Sequence, residues 1–206
     1  MDPREVRSRK RLRMALFTLL QQKPIDSIPV AEIVETADVT LPTLYRHYAD
    51  KFDLLQDIIQ NIPEFYGENV IPGRFPISSL FDPSAPPPIM GLVRFIEQNR
   101  AAFKHMLQLP ASHVFLRSSY VTAKQVVLID TPAFTEVEVE LIVATILGSI
   151  YQWLILDQDD SAVELANRIH KQSIYGVLML RDENDDLRQQ LIARYAPSAP
   201  PTSADD

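Results

Sequence analysis

Between Thr135 and Leu180 the chain holds two long apolar stretches, and they constrain the fold more than anything else in it. Each opens with the same device. Thr135 stands three residues before Glu138 and Ser161 three before Glu164, the spacing at which the two side chains satisfy each other's free backbone N–H groups at a helix start. The first stretch, "LIVATILGSIYQWLIL" from Leu141 to Leu156, is apolar almost all round, as is much of Ala162–Leu180. One subunit hides one such helix in its core and would struggle to hide both, the alternative being that the two pack within one subunit. The expected solution is an antiparallel pair from each of two subunits, 135–156 and 161–180, packed as a four-helix bundle, with Ala144 and Gly148 permitting close approach. A membrane partner is not expected. The apolar run is shorter than the roughly 18–20 residues of a span. It is also bounded by Glu136, Glu138, Glu140 and by Asp157, Asp159, Asp160, with Gln152 inside.

The rest of the chain agrees with an all-α fold, since no window alternates with period two over a strand's length. Leu12, Ala15, Leu16, Leu19 and Leu20 recur at helical spacing between Arg7 and Gln22, and "KPIDSIP" breaks that helix. Val30–Ala37 forms a short second helix with Pro29 in its first turn, and "ADV" turns the chain. Thr40 is an N-cap and Pro42 a first-turn residue for a third helix, Leu41–Tyr48. Asp50 caps a fourth, with Phe52, Leu55, Ile58, Ile59 and Ile62 as its buried stripe up to Pro63. Six prolines between Pro72 and Pro88 exclude a helix there and predict a loop. Helical pattern resumes over Ile89–Leu107 with a bend near Gln98–Asn99, then over His113–Ile129 and Asn184–Tyr195. The organisation expected is a first domain over 1–50, a larger helical domain over 51–195 and a disordered tail over 196–206.

Charge is unevenly placed. The formal net charge is −7, yet residues 1–60 balance at 9 basic against 9 acidic and the whole excess lies beyond them. Arg4, Arg7, Arg9, Lys10, Arg11 and Arg13 crowd the first thirteen residues against Asp2 and Glu5, a local basic arm suited to a phosphate backbone. The absence of cysteine removes disulfides, thiolate chemistry and cysteine-ligated zinc. A reducing cytoplasm fits, and the charged N-terminus lacks the apolar core of a secretory signal. His105 and His113 have no carboxylate neighbour at metal-ligand spacing. No Gly-rich phosphate loop, nucleophile elbow or HExxH motif is present, so neither enzyme activity, metal nor cofactor is expected.

Two short helices joined by a tight turn make a helix-turn-helix, whose second helix enters the major groove of DNA by its first residues. Leu44, with Ile33 and Val39, points inward to hold the crossing. Thr40 starts the exposed surface. Leu41 and Pro42 offer apolar contact for a thymine methyl, Thr43, Tyr45 and His47 donate to phosphate oxygens, and Arg46 reaches phosphate or a guanine edge. Lys51 adds a cation beside the free N–H groups of the next helix. Tyr48 reads as packing. These residues, and "PTLYRHYADKFDLL" above all, resemble the DNA-binding domain of TetR-family transcription regulators over residues 9–60. The pattern falls on Ile33-Val34, Ala37, Val39-Thr40, Thr43-Leu44-Tyr45, Tyr48 and Lys51. Asp38 departs from it where glycine is usual, and Pro29-Val30 where a capping Ser or Thr is usual; Ala31 stands where some relatives carry a base-reading arginine.

The resemblance implies a homodimer on a palindromic operator, with half-sites about 34–36 Å apart or a multiple of that. It also implies a small-molecule effector of unknown identity, bound in the larger domain and releasing a repressor from DNA. Inward candidates for that pocket are Phe95, Asn99, Phe103, Met106, Arg117, Tyr120 and Trp153. Arg117 would anchor an anionic group, or else snorkel to solvent. The alternative is an architectural or cell-division factor of the same fold with no small ligand.

Overall fold

The computed structural model describes residues 3–60, 85–109, 112–130 and 134–195. Among them the chain is all helix, with no strand. In chain order α1 is Pro3–Leu20, followed by a single 3-10 turn at Ile25–Ser27, α2 Val30–Thr36, α3 Leu41–His47 and α4 Lys51–Gln60. The remainder comprises α5 Met90–Gln98, α6 Arg100–Leu107, α7 Ser112–Asp130, α8 Glu136–Ile155, α9 Ala162–Leu180 and α10 Asp186–Tyr195. Most of the proline-rich segment and the tail lie outside the described residues, as does Ile62.

Helix α1 is the pillar of the N-terminal part. Leu12, Leu16 and Leu20 along it are fully buried, and it packs on α2, α3, α4 and, across the molecule, α6. Four phenylalanines carry the core outward from α1. Phe17 stacks on Phe95 at 6.2 Å and meets Phe103 edge-on at 6.1 Å, and Phe103 leans on Phe115 at 6.3 Å. One hydrophobic core therefore runs from the helix-turn-helix through α5 and α6 to the Trp153 end of α8. A smaller one gathers Phe134, Val139, Val143, Ile174, Val177 and Leu191 at the other end of α8 and α9.

The break between α5 and α6 falls at Asn99, whose backbone leaves helical geometry at φ −118°, ψ 26°. Its amide Nδ2 donates to the Phe95 carbonyl at 2.8 Å, and its Oδ1 accepts from Gln21 Nε2 at 2.7 Å. Both capping boxes form. The Thr135 and Ser161 hydroxyls accept from the backbone of Glu138 and Glu164, whose carboxylates accept in return from the Thr135 and Ser161 N–H groups at 2.7 and 2.8 Å.

Helix α8 lies within the 135–156 expected and is long and apolar enough to cross a membrane by length and composition alone, a test that core helices of soluble proteins also pass. Within one subunit it is buried on one side. Val139, Val143, Ile146, Ile150, Trp153 and Leu154 face α7, α9 and the core, while Val137, Ala144, Gly148 and Tyr151 are exposed. On α9, Tyr175 and Met179 are exposed likewise, Met179 at 81%.

Candidate nucleic-acid interface

The turn between α2 and α3 is tight because Asp38 takes a left-handed conformation, φ 49°, in the position where glycine is the easier residue. The Val39 N–H then closes the turn on the Val34 carbonyl at 3.0 Å. Asp38 is not idle there: its carboxylate pairs with Arg11 of α1. Ile33 and Leu44 are fully buried across the crossing, so the two helices lock at a defined angle.

Helix α3 begins at Leu41 after an extended Thr40, with Pro42 in its first turn where its missing N–H has no partner to lose. Thr40 holds the N-cap position, but its hydroxyl does not bond a backbone N–H. It pairs instead with the Thr43 hydroxyl at 2.9 Å. Leu41, Pro42, Tyr45 and Arg46 are exposed and fall at i, i+1, i+4 and i+5, which puts them on one face of the helix. Leu41 is 44% and Tyr45 53% exposed, so with Pro42 they put apolar surface on that face.

Three other residues of the stretch have partners inside the fold. His47 is half-buried, with Nε2 2.8 Å from Ser8 Oγ. The single Ser8 hydroxyl proton goes to the Glu5 carbonyl at 3.0 Å, so Nε2–H donates to Ser8 and Nδ1 is left as an acceptor. Burial and the neighbouring Arg9 and Arg46 guanidiniums, against the opposing Glu5, hold its pKa below the ordinary 6.5. In this geometry Nε2 of the ring is engaged by Ser8. Tyr48 is buried, and its hydroxyl donates to Asp57 Oδ2 at 2.5 Å, with Arg13 Nη1 at 3.7 Å from the same oxygen. Burial and the Asp57 carboxylate raise that phenol's pKa well above its usual value. Tyr48 fastens α3 to α4 and α1, as the packing reading has it.

Lys51 is held more firmly still within the fold. Its ammonium donates to the Ile25, Asp26 and Ile28 carbonyls at 2.8, 3.2 and 2.9 Å. All three of its protons are used in closing the 3-10 turn that precedes α2, so the phosphate contact expected of it has no donor in this geometry. Lys51→Ala is expected to lower stability by roughly 1–3 kcal/mol, as for hydrogen bonds to a charged group. Urea unfolding reads this, and an unchanged midpoint would remove the assignment. The α4 N-terminus is capped independently: Asp50 Oδ1 accepts from the Phe52 and Asp53 N–H groups, both at 2.8 Å.

The effector candidates divide. Phe95, Phe103, Met106 and Trp153 belong to the main core, the last two essentially without exposure, and the Asn99 amide is spent on Phe95 and Gln21. The Trp153 indole N–H donates to the Asp160 carbonyl at 2.8 Å, while Arg100 lies 4.4 Å over its ring and donates to its carbonyl. That arrangement ties off the end of α8. Tyr120 packs on the smaller core. Arg117 is exposed on α7, so of its two readings the structure has the solvent-facing one. Phe95, Phe103, Met106 and Trp153 thus lie in or against one core and Tyr120 against the other. Among the described residues no group of His, Asp and Glu could hold a metal ion.

A family model for bacterial regulatory proteins of the tetR family matches residues 14–58, which contain most of α1, both helices of the turn and nearly all of α4. The chain carries a tetR-family DNA-binding domain. Over 106 residues it is 26% identical to the uncharacterised HTH-type transcriptional regulator YxbF of Bacillus subtilis (strain 168). That match spans 52% of this chain but only 28% of the relative's length. The fold is similar to that of the dihydroxyacetone kinase operon activator DhaS, with a TM-score of 0.62 at 16% identity over 84% of this chain and 97% of that one. The tetR-family domain here is joined to the helices that follow by a shared core, α1 packing on α6 and α4 on α7. Sequence reading missed Ser8, Arg13 and Asp57 as supports of α3. The basic run containing Ser8 and Arg13 is the signal that, followed one step further, leads to two of them.

Proposed function

We propose that the protein is a homodimeric repressor whose two α3 helices enter successive major grooves of a palindromic operator. The observation that carries this is the exposed face Leu41, Pro42, Tyr45 and Arg46 on a helix whose opposite face, Leu44, is fully buried. Leu41 and Pro42 supply apolar contact to thymine methyls, Tyr45 and Thr43 reach phosphate, and Arg46 reaches a phosphate or a guanine edge. The exposed apolar face of α8 and α9 supports dimerisation through 135–156 and 161–180. Domain division at residues 1–50 and 51–195 goes with this reading, α4 being the element that links DNA contact to the larger part.

Selection of binding sites from random duplex DNA tests it. The wild type is expected to enrich a two-fold symmetric sequence. Pro42→Ala and Arg46→Ala are each expected to change the preferred base at a position of each half-site, at about 1–3 kcal/mol of discrimination. Variants that weaken every sequence equally would show that these side chains do not read bases. The name of the structural neighbour describes an activator, so the sign of regulation is tested separately, by transcription from the selected operator with and without the protein.

Release by a small molecule is the second half of the proposal. It requires an effector that binds the DNA-incompetent dimer shape more tightly, by roughly 5.5 kcal/mol for a full switch. A DNA-binding factor of the same fold with no effector is favoured by one observation, the close packing of Phe95, Phe103, Met106 and Trp153 in the core. Native mass spectrometry of the purified protein separates the two: a retained small molecule that releases operator DNA when added back supports the effector reading.

A further inference from the structure

Helix α1 begins well before the fold does. Its first buried apolar residue is Leu12, and from Pro3 to Arg11 every residue is exposed or half-buried. Nine residues of helix are about 13 Å long and, without tertiary support, are not stable in water. Three supports land on the helix-turn-helix. Ser8 bonds His47 at the end of α3, Arg9 lies 5.9 Å over the Tyr48 ring, and Arg11 pairs with Asp38 in the turn.

The charge pattern of this projection is costly by itself. Arg4, Arg7, Lys10 and Arg11 lie within about 120° of arc on one side of the helix at 100° per residue, and all four are exposed. Like charges three and four residues apart destabilise an isolated helix. Glu5 is the sole acidic residue of α1, in a chain whose net charge is −7. Such a face gains most from a dense line of negative charge beside it, and the ties to His47, Tyr48 and Asp38 fix its position relative to α3.

We propose that the projecting turns of α1 are a second DNA-contact surface, with Arg4, Arg7 and Lys10 laid along the phosphate backbone flanking each half-site and held at a set distance from the recognition helix by the Ser8–His47 bond. The inference rests on α3 being the element that enters the major groove. The surface contributes affinity and salt dependence without base preference, because phosphates are the same in every sequence. It also gives Ser8 and His47 a role in positioning the arm, in place of contact with DNA.

The test is operator binding by the full-length protein, measured by fluorescence anisotropy across a salt series. Arg4→Gln/Arg7→Gln is expected to reduce the slope of log affinity against log salt by about two units per subunit, at about 0.9 per lost phosphate contact. Its preference among operator variants is expected to stay that of the wild type. Arg94→Gln, an exposed charge on α5, is expected to leave the slope unchanged. A double variant with the wild-type slope, from a wild type that binds the operator, overturns this surface alone. A double variant with altered base preference overturns the phosphate assignment. A wild type that binds no duplex DNA overturns both this surface and the reading of α3 beneath it.

Discussion

Arg181→Ala is expected to cost about 3–5 kcal/mol of folding stability, the range for removing one partner of a buried ion pair. Glu138 lies one turn into α8 and is 2% exposed, while Arg181 follows the end of α9 and is 12% exposed. The guanidinium reaches both carboxylate oxygens, at 2.5 and 2.8 Å, and its other edge meets both oxygens of Asp185 at 3.1 Å. One side chain therefore joins the start of α8, the end of α9 and the approach to α10. Without it the Glu138 carboxylate keeps, among the described residues, only Thr135 as a partner. The pH dependence has a definite sign. Burial opposes ionisation of Glu138, but Arg181 and Thr135 more than offset it and hold the pKa below 4.5. Its contribution to wild-type stability is therefore present above about that pH and is lost as pH falls through the lower folded value. In the alanine variant Arg181 no longer helps Thr135 to oppose burial, so the gain in stability on raising the pH through the carboxylate range is expected to shrink. Urea midpoints of the two proteins at several pH values between 3 and 7 read both effects. Glu138→Leu/Arg181→Met is expected to recover most of the loss, since the cost lies in the stranded charge. Equal stability of Arg181→Ala and wild type would mean that the pair does not hold these helices.

What could be read in the sequence is what is local to it. The Thr135 and Ser161 caps, the break at Asn99 and the left-handed Asp38 are each set by residues within one turn of one another, and each stands where the pattern puts it. The all-α class follows from the same periodicity. The functions of Lys51, His47 and Arg181 were out of reach because their partners lie 23 to 26, 39 and 43 residues away. A lysine in a DNA-binding motif suggests phosphate by its charge alone; only the folded chain shows three carbonyls already surrounding it. Helix α8 failed to show its faces for a different reason. A stretch apolar on every side has no phase, so which side meets the core is decided by packing against α7 and α9. Arg117 is an intermediate case. Its place on a mixed helix allowed either an anchoring or a solvent-facing role, and its exposure selects the second.

The phase of α8, once seen, makes the second large effect calculable. At Gly148 an added Cβ would meet no atom within 4 Å, so Gly148→Arg is expected to leave the subunit folded and to gain up to about 1 kcal/mol of helix propensity. In the proposed dimer the same position lies on the face that also carries Ala144 and Tyr151, where a close-packed partner helix has no room for a long cation. Two copies of the substitution would also bring like charges together about the two-fold axis. The variant is expected to sediment as a monomer at concentrations where the wild type is a dimer. Operator affinity is then expected to fall at least a hundredfold, because the second half-site is no longer presented at the high effective concentration that linkage provides. Binding to random duplex through one subunit should change far less. Gly176→Ala distinguishes this from general disruption, since its Cβ would come within 2.5 Å of Leu141 Cδ2 on the same chain. That variant is expected to lower the melting temperature with the oligomeric state retained at moderate temperature. If Gly148→Arg remains a dimer with wild-type affinity for the operator, the exposed face of α8 and α9 is not where the subunits meet, and the spacing of the two α3 helices has to be built from another surface.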